Sequence, residues 1–133
     1  MMAVLFPAEG NPVEIEYTGK LSDLQNAVNG YIERVQFDLE GRSFEAWVNE
    51  EGLLLGLPTN EFISDLIGFS FRNRDFTVVG NVLITAPAGG ESRGLNEEEI
   101  GLFRSMWNAR QMAMQLMAMI DDLPPAPPMH TLN

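Results

Sequence analysis

The chain has 133 residues, the length of one ordinary domain, and carries 19 acidic against 8 basic residues for a formal net charge of −11. It has no Cys, a single His (His130) and a single Lys (Lys20). This excludes disulfides, thiolate chemistry and Cys-based zinc sites, and argues against a His-centred triad or a Lys-bearing phosphate loop.

So acidic a mean field repels nucleic acid, so direct nucleic-acid binding is not expected. The acids are scattered from Glu9 to Asp122, with one dense run at Glu97, Glu98 and Glu99. The opening MMAVLFPAEG lacks the basic and long apolar regions of a signal peptide, and no run reaches the roughly 18 apolar residues of a membrane span. The expectation is a cytoplasmic protein with no membrane partner.

Residues 2–8 and 12–17 read as strands joined at Glu9, Gly10 and Asn11, with Val13, Ile15 and Tyr17 alternating against Glu14 and Glu16. Ser22 with Gln25 forms a capping-box pattern that opens a short helix. Leu21, Leu24 and Val28 mark its face, and Gly30 stands at its C-terminal end. Residues 31–37 and 42–49 are the next strands, with a turn over Asp38 to Gly41. In the second, Phe44, Ala46 and Val48 alternate with Glu45 and Trp47.

Leu53, Leu54 and Leu55 follow a Glu51-Gly52 turn and read as the start of another short strand. Pro58 and Asn60 then open a helix over 61–67, with Phe62, Ile63, Leu66 and Ile67 on its buried side and Gly68 as its end. Residues 76–86 form the last strand or strand pair, with a bulge or turn at Gly80-Asn81. Residues 87–94 read as a flexible loop. Asn96 with Glu99 then caps a long helix over 97–120, where Leu95 can staple to Ile100. The tail after Asp122 carries four prolines and reads as extended or disordered. The expected organisation is a single α+β domain over 1–123, followed by a Pro-rich flexible tail over 124–133. Its mainly antiparallel sheet has five to six strands, beside two short helices and one long C-terminal helix.

Three surfaces stand out. The last helix is apolar around an arc about twice the roughly 100° that packing on one sheet requires. Two readings follow: a deeply buried core helix, or a homo-oligomer interface built from Met106, Trp107, Met112, Met114, Leu116, Met117 and Met119. Residues 69–76, FSFRNRDF, interleave Phe71 and its neighbours with Arg72 and Arg74, which serve either as a phosphate grip beside aromatic faces or as a loop whose Phe residues anchor in the core while its Arg residues sit in water. The third is WVNEEGLLLGLPTN, residues 47–60. There Asn49, Glu50 and Asn60 serve either turn geometry and helix capping or a ligand pocket.

In order and spacing, LQNAVNGYIERV (24–35), WVNEEGLLLGLPTN (47–60) and VVGNVLITAP (78–87) resemble the blocks of the family catalogued as domain of unknown function 3846, over about residues 2–87. Asn29 stands where that family often has glycine, and from Phe62 onward the chain departs from a frequently basic continuation. The Met-rich helix and the tail lie outside this resemblance. The resemblance implies a protein of phages, plasmids and bacteria with no established activity.

The leading expectation is a non-enzymatic, oligomeric binding protein that sequesters a nucleotide-like signal at Arg72 and Arg74. It uses no cofactor or metal; interference with a host defence process is the alternative role to sequestering. A second is an acidic inhibitor of a host protein, one that itself binds nucleic acid. A third is a metal-dependent hydrolase using Glu50 and Glu51.

Overall fold

A computed structural model describes residues 1–125; the greater part of the Pro-rich tail, residues 126–133 with His130, lies outside the described residues. Among the described residues the order is β1 (Met2–Phe6), β2 (Val13–Glu16), α1 (Leu21–Val28), β3 (Ile32–Leu39), β4 (Arg42–Asn49), α2 (Glu61–Phe71), β5 (Val82–Ala88), β6 (Glu91–Arg93) and α3 (Glu97–Asp121). This is an α+β fold with a six-stranded antiparallel sheet in the order β2-β1-β5-β4-β3, and β6 pairs with the end of β5. The chain divides into two compact units, Met1–Gly101 and Leu102–Asn133, and the division falls inside α3.

In the first unit both sheet faces are covered. On one, Leu24, Ala27 and Val28 of α1 pack with Ala3, Tyr17 and Leu83, and with the half-buried Trp47. On the other, Phe6 meets Phe62 of α2 at 5.2 Å between ring centroids, and Phe37 meets Phe44 at 5.9 Å. This double cover corrects the reading of Glu45 and Trp47 as the outward face of β4. Glu45 is fully buried, its carboxylate accepting from Arg34 Nη1 at 3.2 Å and from Thr85 Oγ1 at 3.0 Å. Thr85 Oγ1 in turn accepts from Trp47 Nε1 at 2.7 Å. A buried carboxylate is tolerable only when its lone pairs are engaged in this way.

Several local expectations change for physical reasons. The cap of α1 is Lys20, with no side-chain bond, rather than Ser22 with Gln25, and Leu21 is exposed. Asp23 instead turns back to accept from the backbone N–H and hydroxyl of Thr18. The left-handed C-cap is Asn29, at φ 60°, rather than Gly30. Gly30 has a different reason: a Cβ there would stand 2.7 Å from the Asn49 amide nitrogen.

β3 runs two residues closer to the turn than expected while β4 begins at Arg42 as expected, because Glu40 and Gly41 both take positive φ in a two-residue hairpin. Residues 87–94 form a hairpin rather than a loop, turning at Gly89-Gly90, both at positive φ. Leu53, Leu54 and Leu55 form no strand; they sit in a turn. Residues 76–81 precede β5 instead of belonging to it, held by the Thr59–Val79 bridge and the left-handed Gly80.

Helix α2 passes through Gly68 and ends at Arg72, whose φ of 55° makes it the C-cap. Gly68 is needed inside the helix because Asn73 returns across it, with its N–H donating to the Gly68 carbonyl at 2.9 Å. A Cβ on Gly68 would meet the Asn73 carbonyl oxygen at 2.7 Å.

The start of α3 follows the sequence closely. Glu99 N–H donates to Asn96 Oδ1 and Asn96 N–H donates to Glu99 Oε1, both at 2.9 Å, a reciprocal capping box. Leu95 and Ile100 are both buried. In the second unit, the helix from residue 112 to its end has every side chain exposed, which removes the deeply buried reading for that half.

Candidate functional site

The sharp end of α2 and the β3–β4 hairpin enclose a groove of about 1230 Å³. One wall is the hairpin from Gln36 to Glu40 with Ser43; the other is Asp65, Gly68 and the segment from Phe69 to Arg74. The Asp38 N–H donates to Ser70 Oγ at 3.2 Å and ties the walls together. The left-handed cap at Arg72 turns the chain so that Arg72 and Arg74 line one groove with Phe71. Asn73 Oδ1 accepts from the Asp75 N–H at 3.0 Å and shapes the turn between them. Phe71 stacks edge-on against Phe76 at 5.3 Å, which anchors the end of the helix. Phe69 is left 80% exposed.

The electrostatics of this groove are mixed. Both guanidinium groups are exposed, and among the described residues no salt bridge engages either. Asp38, Glu40 and Asp65 share the lining, and α2 presents its carbonyl end there, the negative end of the helix dipole. Two positive charges beside three carboxylates suit a ligand with one anionic group and several N–H or O–H donors. A polyphosphate suits them poorly.

The other residues nominated from sequence lie elsewhere. Asn49 and Asn60 are buried and committed to the backbone. Asn49 Nδ2 donates to the Val28 carbonyl, and its Oδ1 accepts from the Glu51 N–H. Asn60 Nδ2 donates to the Phe6 and Gly80 carbonyls at 2.9 and 3.0 Å, and its Oδ1 caps α2 through the Ile63 N–H. Glu50 and Glu51 are exposed in the turn after β4. None of these four lines the groove.

That turn is a rigid piece. Backbone bonds from Gly52 to Asn49, Leu55 to Glu51, Gly56 to Leu53 and Leu57 to Gly52 close it. Gly52 lies so close to Val79 that a Cβ would meet its Cγ2 at 2.7 Å. At its tip Leu53 and Leu54 are 81% and 89% exposed, and Leu55 is exposed beside them. Sequence reading missed this, because a run of three leucines is a core signal unless the flanking Gly52 and Gly56 are read as closing a turn around it.

The groups with shifted protonation are structural. Arg93 grips Glu99 in a fork at 2.7 and 3.0 Å, which holds the Glu99 carboxyl below its ordinary value and raises Arg93. Burial raises the Tyr17 phenol, and the Thr18 hydroxyl and N–H lower Asp23. None of the four lines the groove. Among the described residues no group of three or more His, Cys, Asp or Glu is placed to hold a metal ion, and no helix is long and apolar enough to cross a membrane.

The interface residues nominated on the last helix all lie on α3. Met106 and Trp107 are partly buried, and Met112, Met114, Leu116, Met117 and Met119 are exposed. Among comparisons with known proteins, the family model described as Domain of unknown function (DUF3846) matches residues 1–108. The match thus runs beyond residue 87 into the first half of α3. No curated protein and no solved structure matches the chain.

Proposed function

The chain belongs to the DUF3846 family, and from that premise we propose that it is a non-enzymatic binding protein whose recognition site is the groove between the β3–β4 hairpin and the end of α2. The ligand is nucleotide-like and carries a single phosphate. The observation that carries this reading is the placement of Phe71, Arg72 and Arg74 in one groove with Asp38, Glu40 and Asp65. The two guanidinium groups match the charge of one phosphate and can grip it in a fork. The exposed ring of Phe69 offers a stacking face for a base. The carboxylates accept from amino, imino or hydroxyl groups of the base and sugar. The physiological role attached to this reading is sequestration of a nucleotide-like signal, in the phage or mobile-element setting that the family resemblance implies.

Thermal-shift measurements and calorimetry with nucleoside monophosphates, cyclic phosphodiesters and triphosphates test it. Binding of a monophosphate or cyclic phosphodiester, lost in the Arg72→Ala/Arg74→Ala variant, is the expected result. A ligand at a hundredfold excess over its Kd adds about 2.7 kcal/mol of stability, well within detection. Binding that survives the double substitution removes the site assignment, and a panel without any binder removes the ligand class.

One observation favours a second reading, capture of a host protein. The closed turn at residues 50–57 holds Leu53, Leu54 and Leu55 in water beside Glu50 and Glu51. Burying three leucines is worth roughly 5 kcal/mol before the costs of association, and the acids favour a cleft rimmed by cations. A Leu53→Ser/Leu54→Ser variant that still retains the same partner as the parent chain would sink this reading.

A further inference from the structure

We infer that α3 pairs with the α3 of a second copy of this chain along a single heptad seam. The seam within α3 is Ala109, Met112, Leu116 and Met119, preceded on the same line by Leu102 and Ser105, and Leu123 follows two residues beyond the end of the helix. The steps alternate three and four, the spacing of a and d positions in a two-stranded coiled coil. Met112, Leu116, Met119 and Leu123 are each more than half exposed, while Phe103, fully buried, lies on the opposite face of the helix. Small residues at 105 and 109 let two backbones approach, and the methionines adapt to whatever shape the partner presents.

The flanking positions identify the occupant. Beside the seam run Ala113 and Ile120 on one side and Asn108 and Gln115 on the other, none of them charged, and Asp122 follows just past the helix end. A heterologous partner is ordinarily selected through charges at these flanks, and here that code is nearly blank. Each copy carries a formal charge of −11, so two copies repel over most of their surfaces. The stretch from Gln111 to Ile120 holds no charge at all and is a place where two copies can meet without opposing like charges.

The area reaches the lower end of what a specific interface needs. With on the order of 100 Å² offered by each large apolar side chain, Met112, Leu116, Met119 and Ile120 with Leu123 beyond the helix end present roughly 500 Å² per copy, about 1,000 Å² in total for two copies. The family match ends at residue 108, so the exposed part of the seam belongs to the region beyond it. The inference is independent of the ligand groove.

The test is sedimentation equilibrium of the full chain at about 1–100 µM, a range that brackets micromolar association. The parent chain is expected at twice its 14.8 kDa mass in the upper part of that range. Leu116→Gln/Met119→Gln is expected to stay at 14.8 kDa, with association weakened about a hundredfold or more. Met114→Gln/Met117→Gln, on the other side of the helix, is expected to dimerise within about threefold of the parent. All these side chains are exposed in a single copy, so circular dichroism of the monomers serves as the folding control. A parent chain that remains monomeric overturns the inference. So does a dimer that tolerates the seam substitutions, or one lost through the off-seam pair instead. Nucleotide titrations of the seam variant report separately on the groove.

Discussion

Glu98 and Glu99 are neighbours in one acidic run, yet the structure assigns them very different energetic weight. The Glu98 side chain is 76% exposed and meets Arg42 at the surface. The Glu99 side chain is 4% exposed and accepts three hydrogen bonds, two from Arg93 and one from the Asn96 N–H. Replacing Glu99 with Gln keeps the shape but leaves only one oxygen. If that oxygen faces Asn96 N–H and Arg93 Nη1, the new NH2 group confronts Arg93 Nη2, donor against donor. A hydrogen bond to a charged group is worth about 1.5–3 kcal/mol, and because Arg93 is over a third exposed the lower half of that range applies, about 2 kcal/mol. Glu98→Gln loses an exposed pair worth less than about 0.5 kcal/mol. With a urea m-value of about 1.5 kcal/mol/M, the midpoint falls by about 1.3 M for Glu99→Gln and by less than about 0.3 M for Glu98→Gln. Fluorescence of Trp47 and Trp107 reads both. Equal midpoints for the two variants would refute the reasoning that burial and bond count, rather than charge, decide between adjacent glutamates.

Acid should erase that difference. Arg93 holds the Glu99 carboxyl below its ordinary value of 4.5, so the stability it contributes is full above that value and is lost as pH falls through the lower folded value. The urea-midpoint gap between the parent chain and Glu99→Gln should therefore close as pH falls below the ordinary carboxyl value and through the lowered folded one. Gly68→Ala should reverse the usual sign for a helix interior. Where alanine ordinarily gains about 1 kcal/mol over glycine, here its Cβ meets the Asn73 carbonyl, and urea denaturation should show a net loss. Asn60→Ala strips partners from the Phe6 and Gly80 carbonyls and from the Ile63 N–H, and should cost about 3 kcal/mol by the same assay. Nucleotide affinity of the folded fraction should be unchanged, since Asn60 lies outside the groove.

The fold was legible where one signal dominated. The capping box at Asn96 and Glu99 pointed to a single local structure, and the structure contains it; the strand readings at 2–8 and 42–49 stand as β1 and β4, without the alternation expected of the second. Errors gathered where two signals competed. Ser22 and Gln25 have the spacing of a capping box, but Asp23 takes up Thr18 and the helix begins without a side-chain cap. Gly68 and Gly30 resembled helix stops, yet both make room for an approaching group, Asn73 in one case and Asn49 in the other. Close approach is a tertiary fact with no local signature. The buried Glu45 was illegible for the same reason: its partners Arg34 and Thr85 are 11 and 40 residues away. The grouping of Phe71, Arg72 and Arg74 could be read from their spacing, whereas the carboxylates opposite them come from the β3–β4 hairpin and needed the fold.

The three blocks that carried the family resemblance meet in space, and the contacts explain why those residue types stand there. Asn49 of the middle block donates to the Val28 carbonyl of the first. Asn60 of the middle block donates to the Gly80 carbonyl of the third, and Asn81 of the third donates back to the Ala27 carbonyl of the first. Gly52 and Gly80 press against Val79 and Leu57, too close for a side chain on either glycine. Three asparagine amides thus close a corner whose backbone carbonyls would otherwise be buried without partners, a cost of about 1–3 kcal/mol each. Asn29, at φ 60°, shows why the related sequences often carry glycine at this position: the chain must turn left-handed to leave α1. The signature is therefore largely scaffolding. The Leu53–Leu55 tip is the part of the signature that the corner does not require. It spends three apolar side chains on solvent, on a turn that the corner holds rigid.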